Sequence, residues 1–484
     1  MPRRGTFASD VCPRSLFLNS TPCHPPRTRA RPLCLLPGLI ASLGVGASLA
    51  DLPPFAAPRW ILAQLSFTLG LTIACVGFGV ILTTRGSLAG AVPSIRRWMR
   101  RLRRTPWAGS TADRLGASRI ESVALLDGGE QAYPRMLLAV AQAQRSVHLE
   151  VYSFAPTGVG ARFIEALGQA AGRGVAVHVT IDGWGSLRGG SAVTAALRLA
   201  GCEARIYHRL LAVLIGRFGR NHRKILLVDD EVAFLGGINI GDENLGEGVR
   251  VGWADLAVEI RGPQCTCLGQ MIRREPRRQM DSAMRIYLSG LGGGWRLSRR
   301  YVRAFSGATQ RIDVAHGYFL PDLGVVRALT AAARRGVQVR LLLAGQSDVP
   351  FARTATRSLY RRLLSAGVTI HEWGGSLLHA KVATVDGQRL LVGSFNLDPF
   401  SLANLEVLLE VDDVRVVAQG EEWIRDHLAN SRSITSVEAN SRLHRWLLEP
   451  LGRLAAMLAA ILSRLIASRR RGRRNERTQS GRTC

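Results

Sequence analysis

One pattern occurs twice in this chain. His222-Arg-Lys224 is followed by four residues and Asp229, then by six residues and Gly236-Gly237-Ile-Asn239. His379-Ala-Lys381 is followed at the same spacing by Asp386 and by Gly393-Ser394-Phe-Asn396. The chain holds 64 Lys and Arg residues, yet all are arginines except Lys224 and Lys381, which sit inside the two patterns. The surroundings are repeated as well. Arg145–Tyr152 is a β-rich run, followed by a helical stretch ending at Gly174 and a second apolar run from Val175. Arg311–Tyr318, a helical stretch ending at Gly336 and an apolar run from Val337 follow the same order. Strand–helix–strand units with apolar strands indicate buried sheets covered by helices. The expected fold is therefore α/β: two homologous α/β/α sandwich lobes, about 119–290 and 295–430, related by a pseudo-twofold axis.

The spacing has a chemical sense. Alternate residues of a strand share a face, so the imidazole and ammonium of each His-x-Lys point to one place. Asp229 and Asp386 end these strands at a turn, and they join His222, Lys224, His379 and Lys381 as candidate catalytic residues. Gly237 and Ser394 let backbone approach a ligand, and Asn239 and Asn396 supply amide donors; these four are expected to bind a phosphate. Two such sets around one phosphorus suit phosphodiester chemistry without a metal. One neutral histidine attacks phosphorus and becomes a phosphohistidine, while the other, protonated, serves the leaving alkoxide. Lysines and asparagines neutralise the growing charge. Each histidine needs a carboxylate to fix its tautomer. Asp255 in Trp-Ala-Asp-Leu and Glu406 in Asn-Leu-Glu-Val occupy matching places downstream, so Asp255 is expected to orient His222, and Glu406 to orient His379. The remaining eight histidines show no ligand spacing. The eight cysteines include no CxxC pair, so neither a zinc site nor a disulfide scaffold is indicated.

The ends of the chain read differently. Trp60–Thr84 is 25 residues without a charge, long enough to cross a bilayer, and arginines follow it from Arg85. By the positive-inside tendency, everything after residue 85 lies on the cytoplasmic side. Leu33–Ala50 is a shorter uncharged run that could be a second span, a signal peptide or the product of an early start codon. Residues 1–110 are thus expected to anchor the chain. Residues 440–484, apolar and then polybasic, suit an interfacial anchor on anionic lipid. The formal net charge of +28 asks for an anionic partner.

The double His-x-Lys-x4-Asp-x6-Gly-Gly/Ser-x-Asn pattern resembles the phospholipase D superfamily over about 119–430. Within it, Asn221-His-Arg-Lys-Ile, Trp-Ala-Asp255 and Gly-Ser-Phe-Asn-Leu-Asp-Pro399 resemble bacterial cardiolipin synthases. The resemblance implies phospholipase D-like lobes and transphosphatidylation, with His222 as nucleophile. It further implies phosphatidylglycerol as substrate, phosphatidylethanolamine as a possible second partner, and no cofactor or divalent metal. The expected location is a bacterial inner membrane. A hydrolase that uses water in the second step would share every residue named. A nuclease of the same superfamily fits less well, because the charge concentrates beside the apolar ends, and no nucleic-acid partner is expected.

Overall fold

The computed structural model describes residues 122–208, 219–246, 251–275, 284–349 and 352–434, together with residue 450. The first lobe contains β1 (Ser122–Asp127), α1 (Gly128–Gln142), β2 (Ser146–Val151), α2 (Val159–Gly172), β3 (Ala176–Asp182), α3 (Gly190–Leu199) and β4 (Glu203–Tyr207). It continues through β5 (Ile225–Val228), β6 (Val232–Gly236), β7 (Leu256–Arg261) and α4 (Pro263–Arg273). The second lobe repeats the order as β8 (Met284–Leu288), α5 (Trp295–Gly307), β9 (Arg311–His316), α6 (Leu323–Arg334), β10 (Gln338–Ala344), α7 (Ala352–Arg357), α8 (Tyr360–Leu364) and β11 (Thr369–Trp373). It ends with β12 (Lys381–Val385), β13 (Arg389–Gly393), β14 (Val407–Val411), α9 (Val414–Ala429) and β15 (Arg432–Ile434).

The two sheets have one plan. The first runs β1-β7-β6-β5-β2-β3-β4 and the second β8-β14-β13-β12-β9-β10-β11, with β15 added at its edge. In each, three strands linked by helices are parallel, and a three-stranded meander carrying the motif is antiparallel. The duplication seen in the sequence is thus a duplication of topology. One boundary moves. Because β8 pairs with β14 along its full length, Met284–Leu288 belongs to the second sheet, not to a first lobe extending to 290.

Strand periodicity explains the layering. Ile225 and Leu227, Ala233 and Leu235, Val382, Leu390 and Val392, and Val407 and Leu409 all bury into one core shared by the two sheets. Their alternate neighbours face two outer cores. Leu226 and Phe234 pack beneath the helices of the first lobe, and Ala383, Leu391 and Leu408 beneath those of the second. Both faces of each motif strand are therefore covered, which is why those strands read as continuous apolar runs. Helices α6 and α9 begin where Asp322 and Asp413 accept hydrogen bonds from the first free backbone N–H groups.

Among the described residues no helix is long and apolar enough to cross a membrane. The expected spans at 60–84 and 33–50 lie outside the described residues, as does the C-terminal anchor apart from residue 450.

Candidate active site

The two motifs meet at the line where the sheets join. Backbone hydrogen bonds lace the lobes together at two symmetric places. His222 N–H donates to Leu405 O at 2.9 Å, and Leu405 N–H donates to Arg220 O at 2.8 Å. In the other half, His379 and Ala380 N–H donate to Ala254 O at 2.9 and 3.0 Å, and Ala254 N–H donates to Leu377 O. Leu405 immediately precedes Glu406, and Ala254 immediately precedes Asp255. Each motif histidine is consequently docked beside the carboxylate of the opposite lobe.

The pairing expected within lobes is therefore corrected. His222 Nδ1 lies 3.0 Å from Glu406 Oε2, and His379 Nδ1 lies 2.5 Å from Asp255 Oδ2. An ionised carboxylate can only accept, so each imidazole donates through Nδ1 and presents Nε2 as a lone pair. All four side chains are buried. Burial, then the field of Lys381, pushes the His379 pKa down to about 4; the His222 pKa is lowered too, burial again dominating over the pull of Glu406. Burial alone would raise Asp255, but Lys381 and His379 hold it below the ordinary carboxylate value. The aromatic neighbours are also matched. The Tyr152 ring meets His222 edge-on at 4.8 Å, and Tyr318 meets His379 edge-on at 5.9 Å. Trp253 adds a tilted contact to His379 at 5.2 Å.

Both lysines are buried against the same centre. Lys224 Nζ donates to His222 O at 2.9 Å and lies 5.1 Å from the centre of the Tyr152 ring. Lys381 Nζ likewise donates to His379 O. Burial, followed by the charge of Lys381, lowers the Lys224 pKa to about 7, and burial lowers that of Lys381. Two buried ammonium groups, with the charge of Lys381 acting on Lys224, make this centre suited to an anion. Asn239 Oδ1 accepts from Ser153 N–H at 3.2 Å, which commits the oxygen and leaves the amide NH2 for a ligand. The Asn396 Oδ1 atom is buried without a protein partner.

Four candidate residues have other tasks. Asp229 and Asp386 stand at the far ends of their strands from the lysines. Asp229 accepts from the backbone N–H of Gln144, Arg145 and Ser146 at 2.8–2.9 Å, and Asp386 from that of Thr309, Gln310 and Arg311 at 2.8–2.9 Å. Both adopt left-handed backbone, at φ 55° and 54°, as an aspartate at a tight turn can. They clamp the loop entering β2 or β9 and are not brought to the histidines. Ser394 Oγ donates to Glu406 Oε2 at 2.5 Å and accepts from Val407 N–H at 3.0 Å, so it braces the carboxylate and does not face a phosphate. Gly237 holds the matching place in the first lobe, where any Cβ would collide with the Asp255 carboxylate.

One residue with no counterpart in the motif also shapes the site. Buried Asp182, at the end of β3, accepts from Asn221 N–H at 2.8 Å and from Trp184 and Gly185 N–H at 2.9 and 3.1 Å, tying the β3 loop to the His222 strand. The second-lobe position in the same register is Ala344, so the repeat carried no trace of Asp182. Tyr152 and Tyr318 were visible, since each closes the repeated run that begins at Arg145 and Arg311.

A family model described as cardiolipin synthase, PLD-like domain, matches residues 136–263 and 301–428, one copy per lobe. The chain belongs to this family. Cardiolipin synthase B of Salmonella typhi is 34% identical over 321 residues, covering 60% of this chain and 76% of that protein. Cardiolipin synthase of Geobacillus kaustophilus is 32% identical over 343 residues, covering 65% and 67%. The crystal structure of phosphatidylserine synthase from Haemophilus influenzae Rd KW20 superposes with a TM-score of 0.56 at 15% identity, over 72% of this chain and 96% of that one. At that identity the likeness is one of fold. Among the described residues no group of three or more His, Cys, Asp or Glu side chains is placed to hold a metal ion.

Proposed function

We propose that this member of the cardiolipin synthase family is a phosphatidyltransferase that joins two phosphatidylglycerol molecules into cardiolipin and glycerol at a membrane surface. The observation that carries the reading is the crossed arrangement: two imidazole–carboxylate pairs, each built from both lobes, beside two buried ammonium groups. Relatives named cardiolipin synthase support the substrate class.

In the first step His222 Nε2 bonds to phosphorus and the bond to the glycerol oxygen breaks. His379, protonated at Nε2, gives its proton to that oxygen, and glycerol leaves. Both imidazoles are neutral in the empty site at pH 7; an anionic phosphodiester raises the proton affinity of the histidine facing it, so His379 charges as substrate enters. In the second step a hydroxyl of another phosphatidylglycerol bonds to the phosphohistidine phosphorus as its proton passes to His379 Nε2. The P–N bond breaks and His222 is regenerated. Lys224, Lys381, Asn239 and Asn396 hold the non-bridging oxygens throughout. Glu406 and Asp255 fix the tautomers and stabilise the imidazolium when it forms.

The test is product analysis with phosphatidylglycerol labelled in the glycerol headgroup. Labelled cardiolipin with one free glycerol per turnover supports the transferase. Phosphatidic acid alone would make the chain a hydrolase. Competition by phosphatidylethanolamine tests the second partner.

A further inference from the structure

Large apolar side chains left in solvent are distributed unevenly. Among the described residues nine are exposed, and six of them, Trp184, Leu187, Val251, Leu323, Val349 and Phe400, lie at one edge of the two sheets, five in loops and Leu323 at the first position of α6. Trp184 and Leu187 follow β3, Leu323 follows β9, and Val349 follows β10. Val251 and Phe400 lie in the loops between the Gly-x-Asn segments and Asp255 or Glu406. That edge is where both histidines sit. The other three are elsewhere: Leu138 is within α1, Leu199 ends α3 at the opposite edge, and Val414 follows the far end of β14. The opposite edge is made instead of the turns at Asp229 and Asp386 and ion pairs such as Arg145–Glu231 at 2.6 Å.

The same rim is cationic in a particular way. Arg220 stacks over the Trp184 ring at 4.1 Å, and Arg299 and Arg296 stack over Trp295 at 4.3 and 5.4 Å. Trp295 begins α5, just beyond Ser289, whose N–H donates to Glu406 O. Indole rings capped by guanidinium suit the level of lipid headgroups, where an apolar body and a phosphate-seeking cation are both satisfied.

We infer that this rim docks on the surface of an anionic phospholipid bilayer, with Leu187, Val349 and Phe400 entering the acyl boundary and the arginine-capped tryptophans at headgroup level. The inference rests on the proposed function in one respect: a lipid whose phosphorus reaches the buried histidines keeps its acyl chains in apolar surroundings only if the cleft opens directly onto the membrane. Scattered apolar residues on a soluble surface are ordinary; their concentration around one mouth, with cations between them, is not.

The test uses the full chain reconstituted in vesicles of phosphatidylglycerol and phosphatidylcholine, with other accessible cysteines replaced by serine. A bimane is attached at Phe400→Cys, Leu187→Cys or Leu199→Cys. Lipids carrying a quencher on the acyl chain should darken the first two and leave the third bright. Equal brightness at 400, 187 and 199 overturns the inference. In a second arm, Leu187→Ser/Phe400→Ser should lower turnover of vesicular phosphatidylglycerol about tenfold, a modest fraction of what full burial of two such side chains commands, while turnover of a monomeric short-chain phosphatidylglycerol is kept. No loss on vesicles, or equal loss on both substrate forms, also overturns it. An unaltered chain that makes no cardiolipin from either form defeats the proposed function instead, and the quenching arm still decides the docking.

Discussion

His222 and His379 occupy equivalent places, yet their surroundings are not identical. Glu406 is braced by Ser394, whereas Asp255 faces Gly237. Replacing either histidine with alanine should remove both steps, lowering turnover by about a thousandfold or more, the scale of a lost nucleophile or acid–base group. Substantial activity in either variant, measured on folded protein, contradicts the shared site. The lysines predict a pH response. With the Lys224 pKa at about 7, kcat/KM should fall as pH rises past 7 and the free enzyme loses an ammonium group. Stability should move the other way. The folded chain releases the Lys224 proton near pH 7, while the unfolded chain keeps it to about 10.4, so stability of the empty enzyme should rise with pH across that window. Inorganic phosphate, by restoring the charge, should flatten the rise; thermal unfolding at pH 6–9 with and without phosphate reads this directly. Lys224→Arg should also cost most of the activity despite its charge, because a planar fork replaces a compact ammonium in a buried space.

At the scale of elements, the aspartate of each motif belongs to the fold. Asp229→Asn or Asp386→Asn leaves three backbone donors facing a neutral amide that can satisfy fewer of them, and should lower stability by about 1–2 kcal/mol while turnover at low temperature stays near that of the unaltered chain. A collapse of kcat without loss of stability would return these residues to the catalytic list. Backbone hydrogen bonds outweigh burial in holding both carboxyls below the ordinary value, so this support is fully present above about pH 4 and is lost as acid protonates them. The same residues show what a sequence can and cannot disclose. Spacing revealed the repeated strands, the His-x-Lys faces and the asparagines, because those are local consequences of a two-residue period. It could not distinguish an aspartate that touches substrate from one that closes a turn, since both end a strand. Asp182 left no signal at all, because it breaks the repeat. Ser394 and Gly237 looked like ligand contacts for want of any way to see which carboxylate lay behind them.

At the scale of the molecule, the crossed pairing was beyond the reach of either half. Sequence order suggested that a carboxylate serves the histidine of its own lobe, but the parallel bridges Asn221–Leu405 and Ala254–Leu378 lay each motif against the other lobe's carboxylate segment. One active site is therefore shared by two sheets whose facing sides form a single core. A lobe alone would expose that face and would also lack the partner of its histidine. The chain split after Glu275 should accordingly give halves that are insoluble or molten when made singly, and an active complex when made together. A double-mutant comparison adds the chemical half of the argument. Asp255→Asn should cost activity alone but little further in a His379→Ala background, and the same should hold for Glu406→Gln with His222→Ala. Strong coupling within a lobe, Asp255 with His222 or Glu406 with His379, together with independence across the lobes, would mean that each half orients its own histidine in solution and that the shared site does not form.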